Sequence, residues 1–193
     1  MKKVLFIFLF LGFSFQSAYS QFEISLSDLQ NKNGVLFTQL SDNHLAWWDD
    51  NSSSYAIVSI NGLKQKDIYQ KLLLALNDYY GGINGISKIE YDAITVNAYQ
   101  KCNKALILGK RNYNTLDGFK YRLSFKFKDG KMRIEAPLVT ICDYHSLNDS
   151  SKRKDLSANI EIFPRNSIDL SSDMDEICRS IISLFTNSIK EEW

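Results

Sequence analysis

The sequence lacks the short motifs that usually reveal an enzyme. It contains no Gly-x-Ser-x-Gly, no His-Glu-x-x-His, no glycine-rich phosphate loop and no Cys-x-x-Cys pair. Histidine occurs only twice, as His44 and His145. The sequence therefore predicts no cofactor, no metal and no catalytic residue by motif.

Beyond its first twenty residues the sequence also lacks any long apolar run. The run Val4–Phe13 follows two lysines and precedes Ala18-Tyr19-Ser20, which is the pattern of a signal peptide over residues 1–20. This run is too short to span a membrane, which takes about 20 apolar residues. We expect a mature chain that starts near Gln21, is exported by a Gram-negative bacterium into the periplasm or the medium, and has no membrane span after cleavage.

An excess of charge of one sign is absent as well. The full chain carries 23 basic and 22 acidic side chains, and removal of Lys2 and Lys3 leaves 21 against 22. Overall charge therefore does not predict binding to nucleic acid, and any anion-binding site must come from local clustering.

Cysteine is scarce and odd in number, because only Cys102, Cys142 and Cys178 occur. We interpret them as small buried side chains, with Cys142 and Cys178 as the one pair that faces a common core and could form a bridge.

The clearest structural signal is a long hairpin between Gly118 and Thr140. Apolar and cationic side chains alternate strictly along its first strand, and the side chains of a strand point alternately to its two faces. Asp129-Gly130 then favours a two-residue type I′ turn. The predicted apolar face consists of Phe119, Tyr121, Leu123, Phe125 and Phe127, followed by Met132, Ile134, Ala136 and Leu138.

Two amphipathic helices flank this region. The first has an apolar stripe and ends at Gly81-Gly82, and the second begins after Ser171 or Ser172 with acidic side chains in its first turn. The stripes are Ile68, Tyr69, Leu72, Leu73, Leu76, Tyr79 and Tyr80 in the first helix, and Met174, Ile177, Cys178, Ile181, Phe185 and Ile189 in the second. Further strands are predicted at Phe22–Leu26, Val35–Phe37, Tyr55–Ile60, Lys88–Tyr99 (with a bulge or break at Asp92-Ala93), Ala105–Leu108 and Ile160–Phe163, with loops at Lys110–Gly118 and Tyr144–Leu156.

These elements predict an α+β fold in which a two-layer sandwich is built from one curved antiparallel sheet and two helices on one of its faces. The predicted order is β-α-β-β-β-β-α within a single domain of residues 55–193, preceded by an N-terminal extension of residues 21–54. In that extension, Trp47 and Trp48 could be buried anchors or an exposed pair that stacks on sugar rings. Pro137, which cannot donate to a ladder, predicts an edge or a bulge.

The stretch from Tyr55 to about Tyr144 resembles a family of exported bacterial proteins known as a domain of unknown function with a TATA-box-binding-protein-like (TBP-like) fold. The resemblance is carried by Ile57-Val58-Ser59-Ile60-Asn61-Gly62, by Lys66-Asp67-Ile68-Tyr69, and by the hairpin Tyr121–Arg133 with its Lys-Asp-Gly-Lys turn. It implies the same element order, and it implies no activity.

The polar side of the hairpin is the one unusual chemical feature. Its cations are Lys120, Arg122, Lys126, Lys128, Lys131 and Arg133, relieved in sequence only by Glu135. Like charges opposite each other reduce stability, so the cluster predicts an anionic partner, a solvated face, or a face neutralised by acidic residues of the N-terminal extension such as Asp49 and Asp50. The leading hypothesis is a non-catalytic, exported binding module that holds an unknown protein or an anionic envelope component, with no nucleic-acid partner.

The alternative hypothesis is a small hydrolase or metal-dependent enzyme. Its candidate residues are Cys142, His145 and His44, with Asp42 or Asp143 as further metal ligands. Because neighbouring strand residues point to opposite faces, Cys142 and Asp143 cannot converge within one strand. The alternative requires Cys142, His145 and His44 to come within reach of each other in the structure.

Overall fold

The computed structural model describes residues 22–31, 34–41, 44–48, 53–82, 85–108, 112–146, 149–155 and 169–190. At positions 41, 103–108, 112–116, 141–146 and 149–155 it describes the backbone alone. The predicted signal peptide and the predicted strand Ile160–Phe163 lie outside the described residues.

The described residues form an α+β fold with one large mixed sheet and three helices. The helices are α1 (Leu26–Asn31), α2 (Gln65–Tyr80) and α3 (Ser171–Lys190). The strands are β1 (Phe22–Ser25), β2 (Phe37–Ser41), β3 (His44–Trp47), β4 (Tyr55–Ser59), β5 (Ile86–Ile89), β6 (Ala93–Leu108), β7 (Asn112–Lys128), β8 (Lys131–Glu135), β9 (Leu138–Ser146) and β10 (Asp149–Asp155).

The predicted hairpin is confirmed in β7 and β8. Lys128 pairs with Lys131 and Lys126 with Arg133, as the two-residue turn requires. The five alternating aromatic and leucine side chains of β7 are all buried, at 4 % exposure or less. They share one buried core with the apolar side chains of α2 and α3, and these two helices contact each other. Strict alternation in the sequence therefore located both the strand and its buried side.

The prediction of a type I′ turn is wrong. Such a turn needs a positive φ at both central residues, and here only Gly130 has one, at 71°. Asp129 instead turns its carboxylate to the start of α2, where Oδ1 accepts a hydrogen bond from the Gln65 N–H at 2.8 Å. Lys64, at the N-cap position of α2, makes no side-chain capping bond. Two backbone bonds also hold the turn, from Ile60 N to Gly130 O and from Gly130 N to Leu63 O. Contact with α2 therefore decides the conformation of this turn.

Both long helices are confirmed, and the predicted cap of α3 is corrected. Helix α2 ends at Gly81, which has a left-handed φ of 67°. At the start of α3, the Asp169 carboxylate accepts hydrogen bonds from the backbone N–H and the hydroxyl of Ser171. The sequence predicted Ser171 or Ser172 as the cap. Asp169 caps the helix instead, because its carboxylate oxygen reaches the N–H of Ser171 at the start of α3.

The predicted element order and the all-antiparallel sheet are wrong. Within the described residues the sheet has ten strands, and its main path runs β1-β4-β8-β7-β9-β3-β2. Strand β1 pairs with β4 in parallel, and β3 pairs with β9 next to its own partner β2. Strands β1, β2 and β3 thus extend the sheet beyond β8 and β9, on the side of β7 that lies away from β6. The partners that join them to the sheet, β4 for β1 and β9 for β3, lie far away in the chain, so the local sequence pattern does not reveal this pairing.

Several predicted loops are strands. Strand β6 continues through the predicted connection at 100–103 with a register shift between Lys101 and Lys104. Strand β7 begins at Asn112 inside the predicted loop Lys110–Gly118, and β9 and β10 occupy most of Tyr144–Leu156. The predicted slip at Asp92-Ala93 is a tight turn between β5 and β6, with Tyr91 at φ 58°. These segments are rich in polar residues and show no apolar–polar alternation, so their sequence pattern is that of a loop.

A bulge at Pro137 changes which side chains face the core. Phe125 pairs with Ile134 and Arg122 with Leu138, so the returning chain holds one residue more than β7 between these pairs. The prediction that Leu138 lies on the apolar face is therefore wrong. Leu138 is 41 % exposed, whereas Val139 is 1 % exposed and takes the core position.

The two neighbouring tryptophans have different environments. Trp47 is buried, contacts the ring of Phe37, and donates from Nε1 to the Ile134 carbonyl at 3.1 Å. Trp48 is 54 % exposed.

Cys178 is a buried free thiol, so the proposed bridge to Cys142 does not form. Of the helices among the described residues, none combines the length and the apolar character needed to cross a bilayer.

Candidate anion-binding face

The strand pairing places all six predicted cations on the side of the sheet that faces away from the helices. We call this surface, which bears Lys120, Arg122, Lys126, Lys128, Lys131 and Arg133, the basic face. Residues directly opposite in an antiparallel pair point to the same side. The register of β6 therefore adds Thr95, Asn97 and Tyr99 to the basic face, and β9 adds Leu138 and Thr140.

Five of the six cations are exposed and the sixth is half-buried. Lys120, Arg122, Lys126, Lys128 and Lys131 are exposed, and Arg133 is the half-buried one. Lys128 lies directly opposite Lys131. Among the described residues, no carboxylate lies within salt-bridge distance of these two lysines or of Lys126. Near the hairpin turn the described part of the sheet therefore carries three lysines that form no ion pair.

Arg133 differs from the other five because its charge is compensated. Its Nε lies 2.9 Å from Glu135 Oε1, and its Nη2 donates to Glu135 Oε2 at 3.1 Å. The guanidinium also lies over the Tyr55 ring, with Cζ 3.7 Å from the ring centroid. An ion pair with one hydrogen bond, stacked on an aromatic ring, restricts the position of the guanidinium. Arg133 is thus held in position on the basic face, and the Glu135 carboxylate compensates its charge.

Arg122 is also held in place, but its charge is retained. Its Nε donates to the Asn97 side-chain oxygen on β6 at 3.3 Å. An amide is neutral, so this bond orients the guanidinium without compensating it. The other edge of the guanidinium, which carries the two terminal nitrogens, remains able to donate to an anion.

Two hollows lie on the basic face. One, of about 380 Å³, lies beside the hairpin turn and is lined by Lys126, Lys128, Lys131 and Arg133 together with Asp92 and Ile57. The other, of about 570 Å³, lies farther along β7 and is lined by Asn97, Tyr99, Lys120, Arg122, Leu138 and Thr140. Both volumes are within the range of small-molecule sites, which is about 300–1,000 Å³.

Tyr99 is fixed at the larger hollow by a glycine. A Cβ added at Gly118 would collide with the phenol end of Tyr99, so the ring lies directly over the glycine backbone. Such coverage of a strand glycine by an aromatic ring is a known way to fix register. Tyr99 nevertheless stays 41 % exposed. The hollow therefore has an aromatic surface beside its two cations.

Behind this hollow lies a pair of phenols, of which Tyr121 is buried and Tyr80 is half-buried. The hydroxyls of Tyr80 on α2 and Tyr121 on β7 are 2.9 Å apart. Burial raises the pKa of Tyr121 to about 12, and burial together with the hydrogen bond raises the pKa of Tyr80 as well. Both phenols therefore stay neutral at physiological pH. They join the helix layer to the sheet and add no charge to the basic face.

The residues of the alternative hypothesis are not brought together by the backbone. The side chains of Cys142 and His145 lie outside the described residues, but both belong to β9, and His44 pairs with Leu138 at the start of β9. Seven strand residues from Leu138 to His145 correspond to about 23 Å. In the part of the chain whose side chains are described, no three His, Cys, Asp or Glu side chains could hold a metal ion.

Sequence reasoning missed Asn97, Tyr99, Tyr55 and Leu138 as members of this face. Asn97 and Tyr99 alternate with the buried Val96 and with Ala98, so their common side was detectable. Their position next to Arg122 and Lys120 was not, because it depends on the register between two strands whose pairing is not written in either one.

The sequence matches no family of known proteins and no curated protein. Among solved structures, the chain is similar to a TBP-like protein from Parabacteroides distasonis, with a TM-score of 0.37 and 18% identity over 70% of this chain and 88% of that one. It is also similar to a DUF4468 family protein from Bacteroides ovatus, with a TM-score of 0.40 and 8% identity over 80% of this chain and 88% of that one. The chain is thus structurally similar to a TBP-like protein and to a protein of a family of unknown function.

Proposed function

We propose that this chain is an exported, non-catalytic binding protein whose basic face holds an anionic component of the cell envelope. In this proposal the chain is a two-layer TBP-like sandwich, in which the helices cover one side of the sheet and the other side is the binding surface. The observation that carries the proposal is the cluster of Lys126, Lys128 and Lys131, which form no ion pair with the described residues, on a side of the sheet that the core does not use.

The arrangement of these lysines has a cost for folding. Like charges directly opposite each other on neighbouring strands, as Lys128 and Lys131 are, destabilise a sheet by about 0.2–1 kcal/mol per pair. A glutamate at either position would remove the repulsion and leave the fold unchanged. A bound anion gives the same relief and also explains why both positions are cationic.

The spacing of the cations favours an extended or multivalent anion. Lys120 and Lys128 are eight residues apart on β7, which corresponds to about 26 Å. At physiological ionic strength the Debye length is about 8 Å, so the two ends of the face act as separate electrostatic sites. A polymer with repeated anionic groups can contact both ends, whereas a single small anion can occupy only one.

The experiment is retention of the protein on immobilised heparin, used as a dense polyanion, with elution by a sodium chloride gradient. The test variant is Lys126→Glu combined with Lys128→Glu. The glutamates will face Arg133 and Lys131, so the variant retains or gains stability, and unfolding of the variant cannot imitate loss of binding. The matched control reverses Lys88 and Lys190, which are exposed on β5 and at the end of α3, and changes the net charge equally.

We expect the wild-type protein and the control to be retained at 0.15 M salt and the test variant to pass through. A solvated face without a ligand gives a different result, in which the test and control variants elute together because only net charge matters. That outcome, with both variants folded by circular dichroism, would refute the proposal.

A further inference from the structure

The larger hollow on the basic face has features that the cluster near the hairpin turn does not share. We propose that this hollow, built around Arg122, Lys120 and Tyr99, is a subsite for one ring of an acidic oligosaccharide, with the carboxylate of the sugar on Arg122. This inference rests on the proposed function and specifies the chemistry of the ligand.

The first support is the way in which Arg122 is held. Asn97 accepts from its Nε at 3.3 Å, so a neutral partner orients the guanidinium. Arg133, by contrast, is paired with Glu135 and compensated. Guanidinium groups bind carboxylates in a bidentate manner through two parallel N–H donors. The terminal edge of Arg122 offers two such donors in a preoriented, charged state, and Lys120 adds a second cation on the same strand face.

The second support is the aromatic surface. Tyr99 lies over Gly118 and keeps 41 % of its surface exposed, so little conformational entropy is lost when a ligand packs on it. Leu138, moved outward by the bulge at Pro137, lies across the same hollow and is also 41 % exposed. The hydroxyls of a sugar ring can bond to Asn97 and Thr140, while its apolar C–H face packs on the aromatic ring.

Other anionic ligands fit this set less well. A bare phosphate ion makes no use of Tyr99 or Leu138. A lipid surface needs a contiguous apolar patch of several hundred Å², whereas the apolar part here consists of two side chains. Single-stranded nucleic acid stacks successive bases on a row of aromatic rings. Tyr55, a second ring among the described side chains of this face, is covered by the Arg133 guanidinium.

The experiment is an NMR titration of the full mature chain with trigalacturonate, a trisaccharide of uronic acids. Maltotriose is the uncharged control sugar, and a thymidine 6-mer tests nucleic acid. Asn97→Asp places a carboxylate beside Arg122 Nε. The carboxylate compensates the charge of the guanidinium, and the side chain at position 97 keeps almost the same shape. Asn187→Asp, on the exposed side of α3, is the control with the same charge change. Tyr99→Leu removes the aromatic surface and keeps an apolar side chain.

We expect trigalacturonate to shift the amide signals of Asn97, Tyr99 and Arg122 and to bind at least about tenfold more weakly to Asn97→Asp, since hydrogen bonds to charged groups contribute more than a tenfold factor. Tyr99→Leu should also bind more weakly, Asn187→Asp should bind as the wild type does, and maltotriose should cause no saturable shift. Binding of trigalacturonate that is equal in Asn97→Asp, absent in the wild type, or weaker than binding of the thymidine 6-mer would overturn the inference. If the heparin result holds in that case, the basic face remains a binding surface and only the saccharide subsite is refuted.

Discussion

The pair between Arg133 and Glu135 leads to a prediction in which stability and binding change in opposite directions. Glu135→Gln removes the only negative charge in contact with Arg133 among the described residues. The glutamine amide oxygen can still accept one hydrogen bond from the guanidinium, and the Tyr55 ring still lies 3.7 Å from Arg133 Cζ. Arg133 should therefore stay in place and become an additional uncompensated cation of the basic face.

The expected magnitudes follow from exposure and distance. The side chains of the pair are 36% and 27% exposed, so solvent screens the pair, and its loss should lower the free energy of unfolding by about 1 kcal/mol or less. One additional positive charge about 7 Å from a ligand anion contributes about 0.6 kcal/mol in a water-like dielectric, which is about a threefold gain in affinity. The variant should thus be slightly less stable and bind heparin more tightly.

The assay combines urea unfolding with elution from heparin, and its control is Glu176→Gln, which removes a carboxylate of α3 at an exposed position. Glu135→Gln should elute at higher salt than the wild-type protein and at higher salt than Glu176→Gln. If both variants elute at the same salt concentration, or if Glu135→Gln elutes before the wild type, Arg133 does not face the ligand and the reasoning is wrong.

Three further predictions concern the fold that supports this face. Asp129→Ala removes the cap of α2 and should lower the free energy of unfolding by about 1 kcal/mol, whereas Asp129→Asn should restore most of it; equal urea midpoints for Asp129→Ala and the wild type would disprove the cap. Trp47→Phe loses the hydrogen bond to the Ile134 carbonyl and leaves a void, so unfolding should become easier by about 2 kcal/mol in the same assay. Burial raises the pKa of Tyr121 from 10.0 to about 12, so the unfolded chain loses this proton first. The contribution of Tyr121 to the free energy of unfolding should therefore be constant below pH 10 and fall between pH 10 and 12, and in urea titrations at each pH the fall over this interval should be smaller for Tyr121→Phe than for the wild-type protein.

The sequence by itself determined the features that depend on neighbours along the chain. The period-two alternation of β7 identified its buried side and its cationic side, and the pairing of Lys126 with Arg133 followed from the length of the turn. The helical stripes and the left-handed stop at Gly81 were likewise readable. These features need only the local geometry of strands, helices and turns.

Tertiary structure alone decided what depends on distant partners. The parallel addition of β1 to β4, the capping of α2 by Asp129 and the placement of Asn97 beside Arg122 each join segments that are far apart in the chain. The bulge at Pro137 moved Leu138 onto the basic face, because one extra residue inverts every side chain that follows. Local periodicity states which side a residue takes relative to its neighbours, whereas strand register states which residues from other strands it meets there. Which cations are compensated and which remain charged is therefore a property of the folded chain.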